Sequence, residues 1–250
     1  MERENTLRAR LIFRFSLAAR MNDIAARLQA IQDRITAAAT RSRRDPATME
    51  LLAVSKTFPV DIIQEAADAG QLLFGENKVQ EVMAKAPQLP ARLQWHLIGH
   101  LQSNKVRKIL PLVKAIHSIG SLDLARDVDR IAGELGLYPK VYLEVNLAAE
   151  SSKHGFTADT LRARLEELYA LRRLEIQGLM CIPPFDANPE NSRRYFVALR
   201  TLRDELEKVG GGPLPQLSMG MSHDFEVAIE EGATIVRVGS AIFGGRAPKV

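Results

Sequence analysis

From Asn22 to about Arg44, apolar side chains recur at Ile24, Leu28, Ile31 and Ile35. Steps of three and four residues put them on one face of a long helix, which Asp45-Pro46 brings to an end. Beyond that point the rhythm changes, and short continuous apolar runs alternate with amphipathic stretches to the end of the chain. The runs at 51–55, 72–75, 94–98, 115–118, 141–146, 176–181, 216–219 and 235–238 predict strands. Continuous apolarity in so short a run, closed by a breaker such as Pro59, is the mark of a strand buried on both faces, as in a parallel sheet. The stretches at 60–69, 78–85, 104–113, 122–135, 157–171, 191–209 and 225–231 predict the helices between them. Eight strands interleaved with helices is the pattern of an α/β fold of the (β/α)8 barrel type, preceded here by one helix. An open doubly wound sheet is the alternative, weakened because no Gly-rich dinucleotide loop follows the first strand. The run Gly210 to Pro213 leads from a helix into a strand and reads as a turn away from the functional face.

The 250 residues suit a single barrel domain, assigned to residues 21–250. Residues 1–20 are arginine-rich and carry Glu2 and Glu4 among broken apolar positions. They are expected to be a disordered extension outside the chemistry, with Met21-Asn22-Asp23 as a natural start and helix cap. The formal charge of +4 comes largely from the first 44 residues. Without exposed aromatics or a known module it does not argue for nucleic acid. One cysteine, Cys181, excludes an intrachain disulfide and a cysteine metal cluster, and it reads as a small core residue. No apolar stretch is long enough to span a membrane, so a cytoplasmic protein is expected.

In such a barrel, function sits where strands end and βα loops begin. Lys56 ends the first strand, where a rigid element would hold its amine beside a loop opening, as a carbonyl ligand requires. Taken alone, it is a solvated strand-end lysine. The loops after the seventh and eighth strands are both rich in Gly and Ser, from Ser218 to Ser222 and from Gly239 to Gly244. They make tight turns, but their presence at both of these loops also favours a phosphate, which backbone N–H groups and hydroxyls can surround. Arg237 stands on the last strand between them. A strand-end lysine, a phosphate site and a cation suggest a phosphorylated aldehyde, and pyridoxal 5′-phosphate needs all three. A guanidinium keeps its proton, so it would donate to an unprotonated ring nitrogen and leave the ring a poor electron sink.

Six segments then carry a resemblance: 53–57 (AVSKT), 74–77 (FGEN), 95–105 (WHLIGHLQSNK), 178–180 (GLM), 217–222 (LSMGMS) and 236–244 (VRVGSAIFG). In this order they resemble the pyridoxal phosphate homeostasis protein family over roughly residues 21–246. The resemblance implies a fold-type III barrel similar to the alanine racemase N-terminal domain, with pyridoxal 5′-phosphate as an aldimine on Lys56. It also implies that Ser218, Gly239 and Ser240 hold the phosphate, that Arg237 faces the pyridine nitrogen and that Asn77 lies beside the ring. Many members have Thr where this chain has Ser240, which keeps the hydroxyl. The implied role is to hold, buffer or deliver the cofactor in intracellular vitamin B6 homeostasis, without established turnover. PLP-dependent apo-enzymes are its expected partners.

Two catalytic readings compete. A two-base racemase needs a second acid/base opposite the lysine. The tyrosine that supplies it in alanine racemase belongs to a further domain, which is not expected here because the chain ends soon after the last barrel segment. Tyr138, Tyr142, Tyr169 and Tyr195 offer no obvious substitute. A Schiff-base aldolase acting on a sugar phosphate would use the same lysine without a chromophore. His96 and His100 straddle a strand end with no third ligand at a sensible spacing, so no metal is expected. Lys105 is expected near the cofactor mouth, Lys153 to be solvated rather than to bind a second cofactor, and the protein to be a monomer.

Overall fold

In a computed structural model, residues 23–148, 154–210 and 212–245 are described. The expected extension at 1–20 and Lys153 lie outside them. Helix α1 (residues 23–41) buries Ile24, Leu28, Ile31 and Ile35, the stripe seen in the sequence. There follow β1 (Glu50–Val54), α2 (Val60–Asp68), β2 (Leu73–Glu76), α3 (Val79–Lys85), β3 (Gln94–Leu97), α4 (Val106–Ile109), β4 (Ala115–Ile119) and α5 (Leu122–Leu135). The second half continues with β5 (Lys140–Glu144), α6 (Ala158–Tyr169), β6 (Glu175–Met180), α7 (Arg193–Lys208), β7 (Gln216–Met221), α8 (Phe225–Glu230), β8 (Ile235–Val238) and α9 (Ser240–Phe243). The strands pair in parallel in chain order, and β8 closes on β1 with Leu51 opposite Val236 and Ala53 opposite Val238.

All eight strands lie where the apolar runs place them, to within a residue or two at their ends. Two boundaries differ for local reasons. The helix expected at 104–113 is a 3-10 turn (Ser103–Lys105), one α-turn and a second 3-10 turn (Leu110–Leu112), because Pro111 lacks the N–H a continuing ladder needs. The fifth strand stops at Glu144 rather than Asn146, since Asn146 N–H turns to the Phe156 carbonyl instead of a strand neighbour.

A large apolar core fills the space between sheet and helices, and a small one fills the barrel interior with Leu52, Val54, Ile98, Ala115, Tyr142, Met180 and Ile235. Side chains alternate along a strand, so Ala115 and His117 share a face of β4, as do Ile235 and Arg237 on β8. A polar group of His96, His117, Ser218 and Arg237 therefore shares the barrel interior with these apolar side chains. All four side chains are buried.

The early arginines have a structural use. Arg34 pairs with Glu226 at 2.9 Å and lies 4.6 Å over the Phe225 ring, Arg41 pairs with Glu230 at 3.0 Å, and Arg27 donates to the Ile242 carbonyl at 3.2 Å. Exposed pairs of this kind contribute about 1 kcal/mol or less, so the apolar stripe carries most of the docking. Arg44 is different: it is half-buried and donates to the Ile229 and Ala233 carbonyls, each at 2.7 Å. Among the described residues, no helix is long and apolar enough to cross a membrane. Arg44→Met should keep the aliphatic packing but lose both charge-assisted bonds, at a cost of about 2 kcal/mol. Hydrogen exchange should then quicken in α1 while the strand amides keep their protection.

Candidate functional site

The C-terminal ends of the strands open onto a cavity of about 580 Å³. Lys56, Asn77, Arg237, Gly239 and Ser240 line it, so five of the six residues singled out from the sequence converge there. Ser218 does not line it. Its hydroxyl lies in the buried polar group, 2.7 Å from Arg237 Nη1 and 2.8 Å from His117 Nδ1, and Ser222 further along the same segment takes the place in the wall.

Lys56 leaves β1 in a tight turn. The next residue, Thr57, has a φ of 70°, a left-handed conformation that costs a β-branched residue on the order of 1–2 kcal/mol. Both neighbours of Lys56 are tied to α3 and β2. Thr57 N–H donates to Glu81 Oε2 at 2.8 Å, and the Ser55 hydroxyl donates to Glu76 Oε1 at 2.6 Å. The Lys85 ammonium, almost wholly buried, donates to the Ser55 carbonyl (3.1 Å), to Glu76 Oε1 (2.8 Å) and to Glu81 Oε2 (2.8 Å). Phe58, one residue past the turn, packs on Phe243 with ring centroids 5.0 Å apart, which draws the loop toward α9 and Ser240. Burial pushes the Glu76 carboxyl up to about 7, against the hydrogen bonds from Lys85 and Ser55. For Glu81, burial also acts upward, but its bonds with Lys85, Thr57 and Glu76 outweigh it and hold the group below its ordinary value.

Two glycines set the walls. A Cβ on Gly99 would stand 2.3 Å from the Asn77 carbonyl oxygen, so only glycine lets β3 run this close to the loop carrying Asn77. A Cβ on Gly239 would meet the Val54 oxygen at 3.1 Å and its Cβ at 3.2 Å, and the Gly239 N–H donates to Ser222 Oγ at 3.1 Å.

On the floor, Arg237 donates through Nη2 to the Cys181 carbonyl at 2.8 Å as well as to Ser218. A guanidinium only donates, so Ser218 accepts from Arg237. The Ser218 hydrogen finds its acceptor in His117 Nδ1, an arrangement that puts the His117 proton on Nε2, donated to His96 Nδ1 2.8 Å away. Burial pushes His96 down to about 3, with Lys114 and Lys140 adding to it. Burial, then His96 and Arg237, take His117 well below its ordinary value. Both rings are neutral. His96 and His100 lie apart on either side of the strand end: His96 points into the barrel, whereas His100 sits at the cavity mouth stacked on His154, centroids 3.8 Å apart and planes 15° apart. Glu144 also faces the cavity, its pKa raised by burial. No group of three potential metal ligands occurs among the described residues.

Lys105 does not line the cavity, and neither do the four tyrosines. Tyr142 hydrogen-bonds Gln216 and stacks on His117 at 4.1 Å within the barrel, and Tyr169 donates to the Gly212 carbonyl. Cys181 is buried, its thiol pushed up to about 12, first by that burial. Sequence reasoning missed the Glu76–Lys85–Glu81 cluster, His117, Glu144 and His154. His117 carried a readable signal, a polar residue at an inward position of an otherwise apolar strand; Lys85 carried only its i,i+4 spacing from Glu81.

Residues 26–247 match the family model described as alanine racemase, N-terminal domain. The pyridoxal phosphate homeostasis protein of Aquifex aeolicus is 44% identical over 221 residues, 88% of this chain and 97% of that one. PipY of Synechococcus elongatus, solved with PLP bound, is 43% identical, with a TM-score of 0.78 over 88% of this chain and all of that one. Alanine racemase of Clostridium difficile shares the fold alone, at 14% identity and a TM-score of 0.70, covering 91% of this chain and 58% of its own.

Nitrogen-15 NMR of the histidine rings should show Nε2–H tautomers for His96 and His117 that do not titrate between pH 5 and 9 (a window set by their lowered pKa values). An Nδ1–H tautomer at His117 would reverse the Ser218–His117 bond and overturn this ordering. Glu76 gives a second expectation. Its folded pKa of about 7 lies above the ordinary 4.5, so the folded state holds the proton more tightly than the unfolded chain does. The resulting stability is fully present below 4.5 and is lost as pH rises through 7, a change on the order of 3 kcal/mol. Urea denaturation across this window should show that loss in the wild type and a markedly flatter profile in Glu76→Gln.

Proposed function

The chain belongs to the family of the alanine racemase N-terminal domain and, within it, to the pyridoxal phosphate homeostasis proteins; from that premise we propose that it binds pyridoxal 5′-phosphate through Lys56 and keeps it available in the cytoplasm without turning over a substrate. The observation that carries this reading is the convergence of one amine, one buried guanidinium and a Gly/Ser-lined wall on a single cavity. Its volume of about 580 Å³ lies within the usual range for small-ligand pockets, roughly 300–1,000 Å³. When bound, the cofactor supplies an aldehyde for a lysine amine, a pyridine nitrogen that accepts a hydrogen bond, and a phosphate.

The residues present fit that group. Lys56 offers the amine, held on a turn that is tied down on both sides. Ser222, Gly239 and Ser240 form the wall for the phosphate, where the absence of a side chain at Gly239 lets the wall close against β1. Ser218 acts from beneath: the phosphate contact expected of it passes to Ser222, because its own hydroxyl is committed to Arg237 and His117. Arg237 would face the ring nitrogen, and Asn77 would lie beside the ring. A donor that never gives up its proton keeps that nitrogen unprotonated, which suits holding the cofactor better than drawing electrons into it. Residues 21–250 form the binding unit, acting as a monomer, with PLP-dependent apo-enzymes as recipients and residues 1–20 outside the chemistry.

A second reading, conversion of an amino acid, is favoured by one observation: Glu144 and the stacked His100–His154 pair place proton-exchanging groups in the cavity wall, although no tyrosine is there. The two readings part on simple measurements. The purified protein should absorb in the visible, lose that band in Lys56→Ala, and show no racemisation of alanine or other amino acids above free cofactor by chiral chromatography. Turnover well above that background would establish the second reading, and a colourless wild type that cleaves sugar phosphates would replace both with an aldolase.

A further inference from the structure

The turn that carries Lys56 is not self-supporting. Thr57 occupies a left-handed conformation with a β-branched side chain, and its N–H faces no strand partner; it is met by Glu81 of α3 at 2.8 Å. On the other side of Lys56, the Ser55 carbonyl is met by Lys85 of the same helix at 3.1 Å, and the Ser55 hydroxyl by Glu76 at 2.6 Å. Lys85 lies one helical turn beyond Glu81 and joins it to Glu76. Lys85 and Glu81 thus grip the peptide before Lys56 and the peptide after it, and Glu76 holds the Ser55 side chain between them. The neighbouring loop is drawn in as well, since Glu76 immediately precedes Asn77. A cluster that served only to hold α3 on the barrel would have no need to reach both backbone flanks of one residue.

We propose that Lys85 and Glu81 are positioning residues for the Lys56 amine, acting through the backbone of Ser55 and Thr57 to aim it into the cavity. The inference rests on Lys56 being the reacting amine. Lys85 sets the height of the turn through the Ser55 carbonyl, and Glu81 enforces the left-handed twist that sends the chain away after Lys56. Without Glu81, Thr57 relaxes toward its preferred extended or right-handed conformation, and the lysine stem swings with it. A glycine at 57 tolerates the left-handed conformation without assistance. The damage done by losing Glu81 should therefore be largely repaired by Thr57→Gly, an outcome that mere loss of helix docking does not produce.

The test uses the full chain as wild type, Glu81→Ala, Thr57→Gly, the double variant, Lys85→Met and Lys85→Arg. Each is incubated with limiting pyridoxal 5′-phosphate, reduced with borohydride and analysed for label at Lys56 by peptide mass spectrometry, with the visible spectrum recorded before reduction. Glu81→Ala and Lys85→Met should each lower the initial rate of labelling roughly tenfold, below the roughly hundredfold loss that a full ångström of displacement can bring to a reacting group. The double variant should recover most of the loss in Glu81→Ala, and Lys85→Arg should recover part of the loss in Lys85→Met. Circular dichroism and denaturation midpoints establish that the compared variants are folded. Should Lys85→Met fail to fold, the Glu81 and Thr57 cycle decides the matter by itself, because it touches the half-exposed end of the cluster. Folded variants that label Lys56 at the wild-type rate, or a double variant no better than Glu81→Ala, would overturn the proposal. Absence of label at Lys56 in the wild type would instead overturn the cofactor reading, so the two failures are told apart.

Discussion

A guanidinium cannot discard its charge when it is buried, and Arg237 is buried inside the barrel. Its desolvation has to be met by acceptors that reach it from the surrounding sheet. The barrel answers with the Cys181 carbonyl from the end of β6 and the Ser218 hydroxyl from β7, and Ser218 in turn needs His117, which needs His96. Strands β3, β4, β7 and β8 each give up an inward position that would otherwise be apolar. The apolar plug is correspondingly small, with Ala115 on the same face as His117. At the cavity floor the polar and apolar groups meet, with Val54 and Ile98 of the plug beside Arg237.

The architecture was legible because a parallel barrel writes itself plainly: strands buried on both faces are continuous apolar runs, and breakers separate them from amphipathic helices. Lys56, Asn77, Arg237, Gly239 and Ser240 were legible because each occupies a strand end or the loop after it, where chain order alone predicts its neighbours in space. Ser218 was misplaced by one layer, since a Gly/Ser segment announces a loop but not which of its hydroxyls is at the surface of the cavity. The partners of His96 and His100 were not legible for a related reason: His117 and His154 come from β4 and from the loop after β5. Pairings of that kind are set by barrel closure, and no local spacing encodes them.

The basic N-terminal segment shows how composition can mislead. Its excess of arginine looks like a surface charge, but Arg27, Arg34 and Arg41 on one helix, and Arg44 just beyond its end, meet carbonyls and carboxylates on α8, α9 and the turn before β8. Those elements follow or precede the loops that wall the cavity, so α1 braces the site from behind. Its apolar stripe supplies the adhesion, and the arginines select where along the barrel it sits.

The ordered chain from Arg237 to His96 has one more consequence. A row of hydrogen-bonded groups conducts protons only if every link can turn round, so that each donor becomes an acceptor after the proton has passed. Arg237 can never accept, so the first link is fixed and no proton leaves the row at that end, even though imidazoles thread the barrel interior. Proton exchange with the cavity falls instead to Glu144 and the stacked His100 and His154 in its wall.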